Sequence, residues 1–219
     1  MGLIASQLMQ SIHRRNIYDG YGSVLPLDLQ GWNSQHPAFE DIISEKRPSV
    51  VIDVGVWKGG SSIVLANLLR RSGNDSAVIS IDTFLGSPEH WDFDKEYGNL
   101  VARRFGRPML YEQFLTNVLL TKTNDLIVPL AQTSSNAAAI LKRLGVRAGL
   151  VHIDGAHEYE ATKADINAYW ELIEPDGYLV GDDYVADWPG VIRAVDEFVS
   201  AVSQPLTVKF PKWIVQKRS

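Results

Sequence analysis

The chain has 219 residues and not one cysteine. That absence excludes a disulfide frame, a thiolate nucleophile, an iron–sulfur cluster and a Cys-ligated zinc site, so any metal must be held by oxygen or imidazole. Hard, oxygen-bound cations are the leading candidates that remain. Long hydrophobic runs are missing too, since nothing approaches the ~18 consecutive apolar residues of a membrane span. The opening MGLIASQLMQSIHRR places its basic residues after its apolar part, the reverse of a secretory signal, so a cytoplasmic location without a membrane partner is expected. Gly2 and Ser6 match the short N-myristoylation pattern, but the same segment reads as an ordinary amphipathic helix. Dense basic stripes are also lacking. With 21 basic against 26 acidic side chains the net charge is −5, which speaks against nucleic acid and for a small-molecule partner.

What is present is the material of one soluble core with decorations: 45% hydrophobic, 21% charged, with glycine and proline near average usage. Short β-branched runs at 49–53, 77–82, 126–130, 150–154 and 178–181 alternate with helical periods at 60–71, 109–120, 135–144, 157–173 and 191–202. This alternation predicts an α/β fold with a mostly parallel sheet covered by helices on both faces. Ile166, Tyr169, Trp170 and Ile173 fall at i, i+3, i+4 and i+7, and Val191, Val195, Phe198, Val199 and Val202 lie on one stripe of a second helix, so both helices should pack on the sheet. Residues 206–215 read as a hairpin with Pro211 in its turn. Residues 1–48 form an N-terminal helical cap, with a second helix near 37–46, ahead of a main domain over 49–219. The cap is too small to be a domain of its own. The insertion at 84–108 is long for a strand-to-helix loop and rich in aromatic and charged residues, as lids often are.

The first strand runs into Asp53-Val54-Gly55-Val56-Trp57-Lys58-Gly59-Gly60-Ser61-Ser62. Ligands of open α/β sheets bind beyond the carboxyl ends of the strands, so this turn is where a nucleotide-like cofactor would lie. The glycines allow close approach, and the amides at the helix start favour an anion. Neither G-x-G-x-x-G nor the P-loop pattern is present. Asp53 would repel a pyrophosphate but attract an ammonium or sulfonium group, a polarity that fits S-adenosylmethionine. Asp82, followed by Thr83 at the end of the next strand, is placed to accept ribose hydroxyls. Gln132 and Thr133 open a later helix and could flank an adenine, though they read equally well as a cap.

Two further strand ends carry His152-Ile153-Asp154-Gly155-Ala156-His157-Glu158-Tyr159 and Gly181-Asp182-Asp183-Tyr184. Asp154, Asp182 and Asp183 would converge there, and their mutual repulsion calls for a cation such as Mg²⁺. The bland alternative is that some of them cap helices or end turns. His157, three residues after Asp154, suits a general base, although a capping histidine would look the same. His152 reads as a satisfied core residue, while His13, His36 and His90 lack companions.

The stretch VIDVGVWKGGS, with Asp82-Thr83-Phe84, HIDGAHEYE and GDDY, resembles the macrocin O-methyltransferase family of class I S-adenosylmethionine-dependent methyltransferases, over about residues 49–202. The resemblance implies a Rossmann-like, seven-stranded sheet with an antiparallel last strand. It also implies that Asp53, Gly55, Gly59, Gly60 and Asp82 hold the cofactor, that Asp154, Asp182 and Asp183 bind Mg²⁺, and that the acceptor is a sugar hydroxyl of a natural product. Some members of that family use as base an Asp two positions after the first metal ligand. Ala156 stands there in this chain, which moves the assignment to His157. The rival readings are a catechol-type O-methyltransferase, an NAD-binding oxidoreductase and a catalytically silent S-adenosylmethionine-binding protein. Acceptor contacts are expected from the loop around Trp32 and His36, the 84–108 insertion and residues 184–188, and a homo-oligomer is compatible with all of this.

Overall fold

The computed structural model describes residues 1–218. In chain order the elements are α1 (Leu3–His13), α2 (Pro37–Lys46), β1 (Val50–Val54), α3 (Gly60–Ser72), β2 (Ala77–Asp82), β3 (Arg103–Arg104), β4 (Arg107–Pro108), α4 (Leu110–Leu120), β5 (Ile127–Ala131), α5 (Ser134–Arg143), β6 (Ala148–Ile153), α6 (Tyr159–Trp170), β7 (Ile173–Gly181), α7 (Pro189–Val202), β8 (Leu206–Lys209) and β9 (Lys212–Gln216). Seven strands form one sheet in the order β5-β2-β1-β6-β7-β9-β8, and β9 runs antiparallel to both of its neighbours. The alternating side-chain direction of the strands sorts their residues onto two faces. Val51, Val78, Val128, Leu150, Val180 and Ile214 pack under α1 to α4, whereas Ile52, Ile79, Val151, Leu179 and Val215 pack under α5 to α7. The N-terminal cap is therefore part of the main core: Ala5, Met9 and Phe39 are buried in the same cluster as the strands.

The expected helix over 157–173 is shorter at both ends. Glu158 is extended (φ −75°, ψ 141°) and caps α6, which leaves His157 in the loop before the helix. Ile173 begins β7, pairing with Ala148, because Pro175 cannot continue a helix while an edge is free on β6. Ile173 still reaches the apolar cluster that its helical spacing suggested, but from a strand.

The 84–108 insertion is folded. It holds two short 3₁₀ turns and the β3–β4 hairpin, gathered around Arg103. That guanidinium donates to the carbonyls of Val101 (2.8 Å), Gly98 (3.1 Å) and His90, and lies over the rings of Phe93 (4.6 Å) and Trp91 (5.0 Å). Gly98 is required by close approach, since a Cβ there would stand 2.1 Å from the Asp92 carbonyl oxygen.

Candidate active site

The parity that sorts the sheet also builds a polar row. Asp53, His152, Asp182 and Lys212 lie on β1, β6, the end of β7 and β9, all turned to the face covered by α2. Asp53 is wholly buried. Its Oδ2 accepts from the hydroxyls of Ser61 (2.7 Å) and Ser62 (2.6 Å), and its Oδ1 is 2.7 Å from His152 Nδ1. The other ring nitrogen of His152 is 3.2 Å from Asp182 Oδ2, to which the fully buried Lys212 Nζ also donates. Phe39 of α2 lies edge-on to His152 (4.9 Å) and under the Lys212 ammonium (4.6 Å). Burial and the Lys212 charge both pull the His152 pKa down, but the hydrogen bonds to Asp182 and Asp53 outweigh them and push it up to about 9. Burial would raise Asp182, yet His152 and Lys212 hold it below the usual carboxylate range.

Both oxygens of Asp53 are bonded within the chain, Oδ2 to Ser61 and Ser62 and Oδ1 to His152, so this acid braces the start of α3 from behind the glycine loop. His152 is a satisfied core residue as read, but one that joins two of the acids.

Asp154 sits one residue beyond β6, anchored by its backbone N–H to the Val54 carbonyl (2.8 Å). Burial, reinforced by repulsion from Asp182 and Asp183, pushes its carboxyl up to about 7. Ligand atoms of Asp154, His157 and Asp183 lie within 4.8 Å of one another, as do those of His152, Asp154 and Asp182. His157 Nε2 is 2.9 Å from Asp183 Oδ2, and the ring stacks on Trp188 (4.2 Å between centroids, 20° between planes). The bond to Asp183 raises the pKa of His157 above its ordinary value. Asp183 itself is left-handed (φ 64°), a conformation Asp tolerates better than most residues.

A divalent cation fits these residues. Asp182 Oδ1 is buried with no hydrogen-bond partner, the open donors are carboxylate oxygens, and the cleft that Asp154, His157, Asp182 and Asp183 share has room of about 10 Å³, the scale of a single ion or water. Asp154 would be the shared ligand, with Asp183 on one side of it and Asp182 on the other.

On the cofactor side, Gly55 (φ 82°) must be glycine: a Cβ would stand 1.9 Å from the Asp154 carbonyl oxygen, so the loop is pressed against the acid cluster. Asp82 accepts from the backbone N–H groups of Phe84 (2.7 Å, Oδ1) and Trp57 (2.9 Å, Oδ2), and burial raises its pKa in spite of them. Thr83 is exposed beside it. Gln132 donates its backbone N–H to the Asp82 carbonyl (3.0 Å), and the Thr133 hydroxyl caps α5 by accepting from Asn136 N–H (3.3 Å). Gly59 is left-handed, while Gly60 begins α3 against Ser34 of the N-terminal segment. The Trp57 indole donates to Gln30 (2.8 Å), and its ring packs against His90 at 4.3 Å between centroids, tilted by 31°.

Sequence reasoning missed Lys212, the stacking of Trp188 on His157 and the partners of His90. The signal for Lys212 was the hairpin register: Trp213 pairs with Gly181, which sets Lys212 beside Asp182.

The strand order, the antiparallel β9 and a glycine turn against acids at four strand ends define the class I methyltransferase architecture. The O-methyltransferase TomG of Streptomyces achromogenes, solved with S-adenosylmethionine, shares it, with a TM-score of 0.60 at 15% identity over 100% of this chain and 91% of that one. Residues 52–184 match the family described as Methyltransferase domain, and the chain belongs to that family. A rhamnosyl O-methyltransferase of Mycobacterium bovis is 37% identical over 51 residues, which are 23% of this chain and 19% of that protein. A 4'-O-methyltransferase of Streptomyces olivaceus, acting on a dimethoxy-rhamnosyl tetracenomycin, is 23% identical over 171 residues, covering 68% of this chain and 58% of that protein. The chain thus spans less than two thirds of the length of these curated relatives. Among the described residues no helix is long and apolar enough to cross a membrane.

Proposed function

We propose that this chain is an O-methyltransferase that transfers a methyl group from S-adenosylmethionine to a hydroxyl of a sugar or glycosylated small molecule, with Mg²⁺ in the acid cluster. The observation that carries this reading is the cleft lined by Asp154, His157, Asp182 and Asp183, with the Asp154 backbone carbonyl pressed against the glycine loop at Gly55. The names of two relatives, both rhamnosyl O-methyltransferases, point to sugar as the acceptor.

S-adenosylmethionine supplies a methyl group activated by a sulfonium. Gly55, Gly59 and Gly60 give it a close backbone surface, Asp82 retains lone pairs for ribose hydroxyls, and Thr83, Gln132 and Thr133 border the adenine. Mg²⁺, when bound, supplies the charge that makes an aliphatic hydroxyl acidic enough to react near neutral pH. His157 takes the hydroxyl proton at a ring nitrogen, with Asp183 stabilising the resulting imidazolium and Trp188 fixing the ring plane. Lys212 and His152 neutralise Asp182 Oδ2 and leave Oδ1 toward the cluster. A silent scaffold gains nothing from such a repulsive group of acids.

Transfer of labelled methyl from S-adenosylmethionine to α-L-rhamnosides and to catechols, each with Mg²⁺ or a chelator, tests the reading. Labelled glycoside that disappears with chelator supports it. Product on catechols alone moves the acceptor to phenols, and full turnover in chelator removes the metal.

A further inference from the structure

We propose that Trp32 and Tyr97 form a stacking platform for the pyranose ring of the acceptor, with His90 donating its Nε2 proton to one of the sugar's oxygens. The inference rests on the sugar-methylating reading and assigns residues to it.

His90 is 6% exposed, and its Nδ1 accepts the Ser87 backbone N–H at 3.0 Å. The proton of the neutral ring therefore resides on Nε2, and burial, which lowers the pKa of this histidine, keeps the ring neutral. That Nε2 is buried and has no partner. A buried donor without an acceptor is unfavourable unless a ligand completes it. The ring lies among aromatics: Trp57 at 4.3 Å and Tyr97 at 6.4 Å, with Trp32 at 6.2 Å from Trp57 and 6.1 Å from Tyr97. Trp32 and Tyr97 are 48% and 45% exposed, so each has surface open to a ligand. Trp57 ties the cluster to the cofactor loop through its N–H bond to Asp82.

A second buried donor without a partner, Arg103 Nε, belongs to the same insertion, and the Arg103 guanidinium holds the His90 carbonyl. Stacking surface combined with unmet donors calls for a ligand that has apolar faces and many oxygen acceptors. A neutral sugar has both. The insertion carries four acidic residues (Glu89, Asp92, Asp94, Glu96) and four basic ones (Lys95, Arg103, Arg104, Arg107), so it has no net charge to recruit a polyanion.

The test is titration of methyl α-L-rhamnopyranoside into the full chain saturated with S-adenosylhomocysteine, read by tryptophan fluorescence and calorimetry. Trp32→Ala and His90→Phe should each weaken glycoside binding about tenfold. Trp32→Phe should keep most of it, and S-adenosylhomocysteine affinity and melting temperature should hold in both Trp32 variants, while His90→Phe, which also loses the Ser87 bond, is compared at the temperature where it is fully folded, readouts that a merely structural role would not separate. Unchanged glycoside affinity in both Trp32→Ala and His90→Phe, while the wild type methylates glycosides, overturns the platform and leaves the sugar reading standing. A wild type that neither binds nor methylates the glycoside overturns both.

Discussion

Asp53 and Asp154 stand at the ends of neighbouring paired strands, one on β1 and one just past β6, and in sequence each is an acid leading into a glycine turn. Their surroundings are opposite. Asp53 is buried and saturated by Ser61, Ser62 and His152, whereas Asp154 is crowded by Asp182 and Asp183 and is driven toward its protonated form. A strand-end acid whose needs are met by its own chain holds the fold. One left in electrostatic conflict marks the place where a cation and a substrate belong.

The sharpest test of that division is at the proton acceptor. His157→Ala should lower turnover by about 10²–10⁴-fold with S-adenosylmethionine binding retained, measured by methyl transfer and calorimetry. In the metal-free protein the bond to Asp183 raises the His157 pKa, so the titration of its ring followed by NMR should lie above the ordinary histidine range and move down in Asp183→Asn.

Next in size is the buried cation. Lys212→Met leaves Asp182 short of its strongest partner and should cost about 3–5 kcal/mol in urea unfolding. Asp53→Asn should cost less, about 1–3 kcal/mol, by breaking a satisfied network. Asp154→Asn should cost nothing or stabilise, since it relieves repulsion. Equal losses for the Asp53 and Asp154 variants would erase the distinction between the two acids.

A further effect is on stability against pH. His152 has a folded pKa of about 9, above its unfolded value near 6.5, so its contribution is complete below pH 6.5 and is lost as pH rises through 9. Asp154, raised from 3.8 to about 7, acts in the same direction at lower pH. Melting temperature should therefore fall between pH 6.5 and 9, and His152→Gln should flatten that fall.

Much of this was legible in the sequence. The core strands at 50–54, 77–82 and 127–131 lie within a residue of their expected places, because short β-branched runs flanked by turns have few alternatives. Asp154, His157, Asp182 and Asp183 line one cleft, since parallel strands deliver their ends to one edge, but the ligand atoms that approach one another fall in two groups sharing only Asp154. What stayed hidden depended on distant register or on contacts between loops. Lys212 reaches Asp182 only through the β7–β9 pairing, and the neighbours of His90 come from the glycine loop and the insertion's own fold. The bonds of Asp53 were hidden for the same reason: a strand end shows where a carboxylate is, not which side chains it meets.

The central claim is tested most directly by calorimetric titration of Mg²⁺ near pH 7 in buffers of different ionisation enthalpy. The account predicts binding to the wild type with release of the proton that Asp154 holds, no such binding to Asp154→Asn, and retained binding by folded Asp53→Asn. Mg²⁺ binding of equal strength in wild type and Asp154→Asn, with no proton released by either, would contradict it.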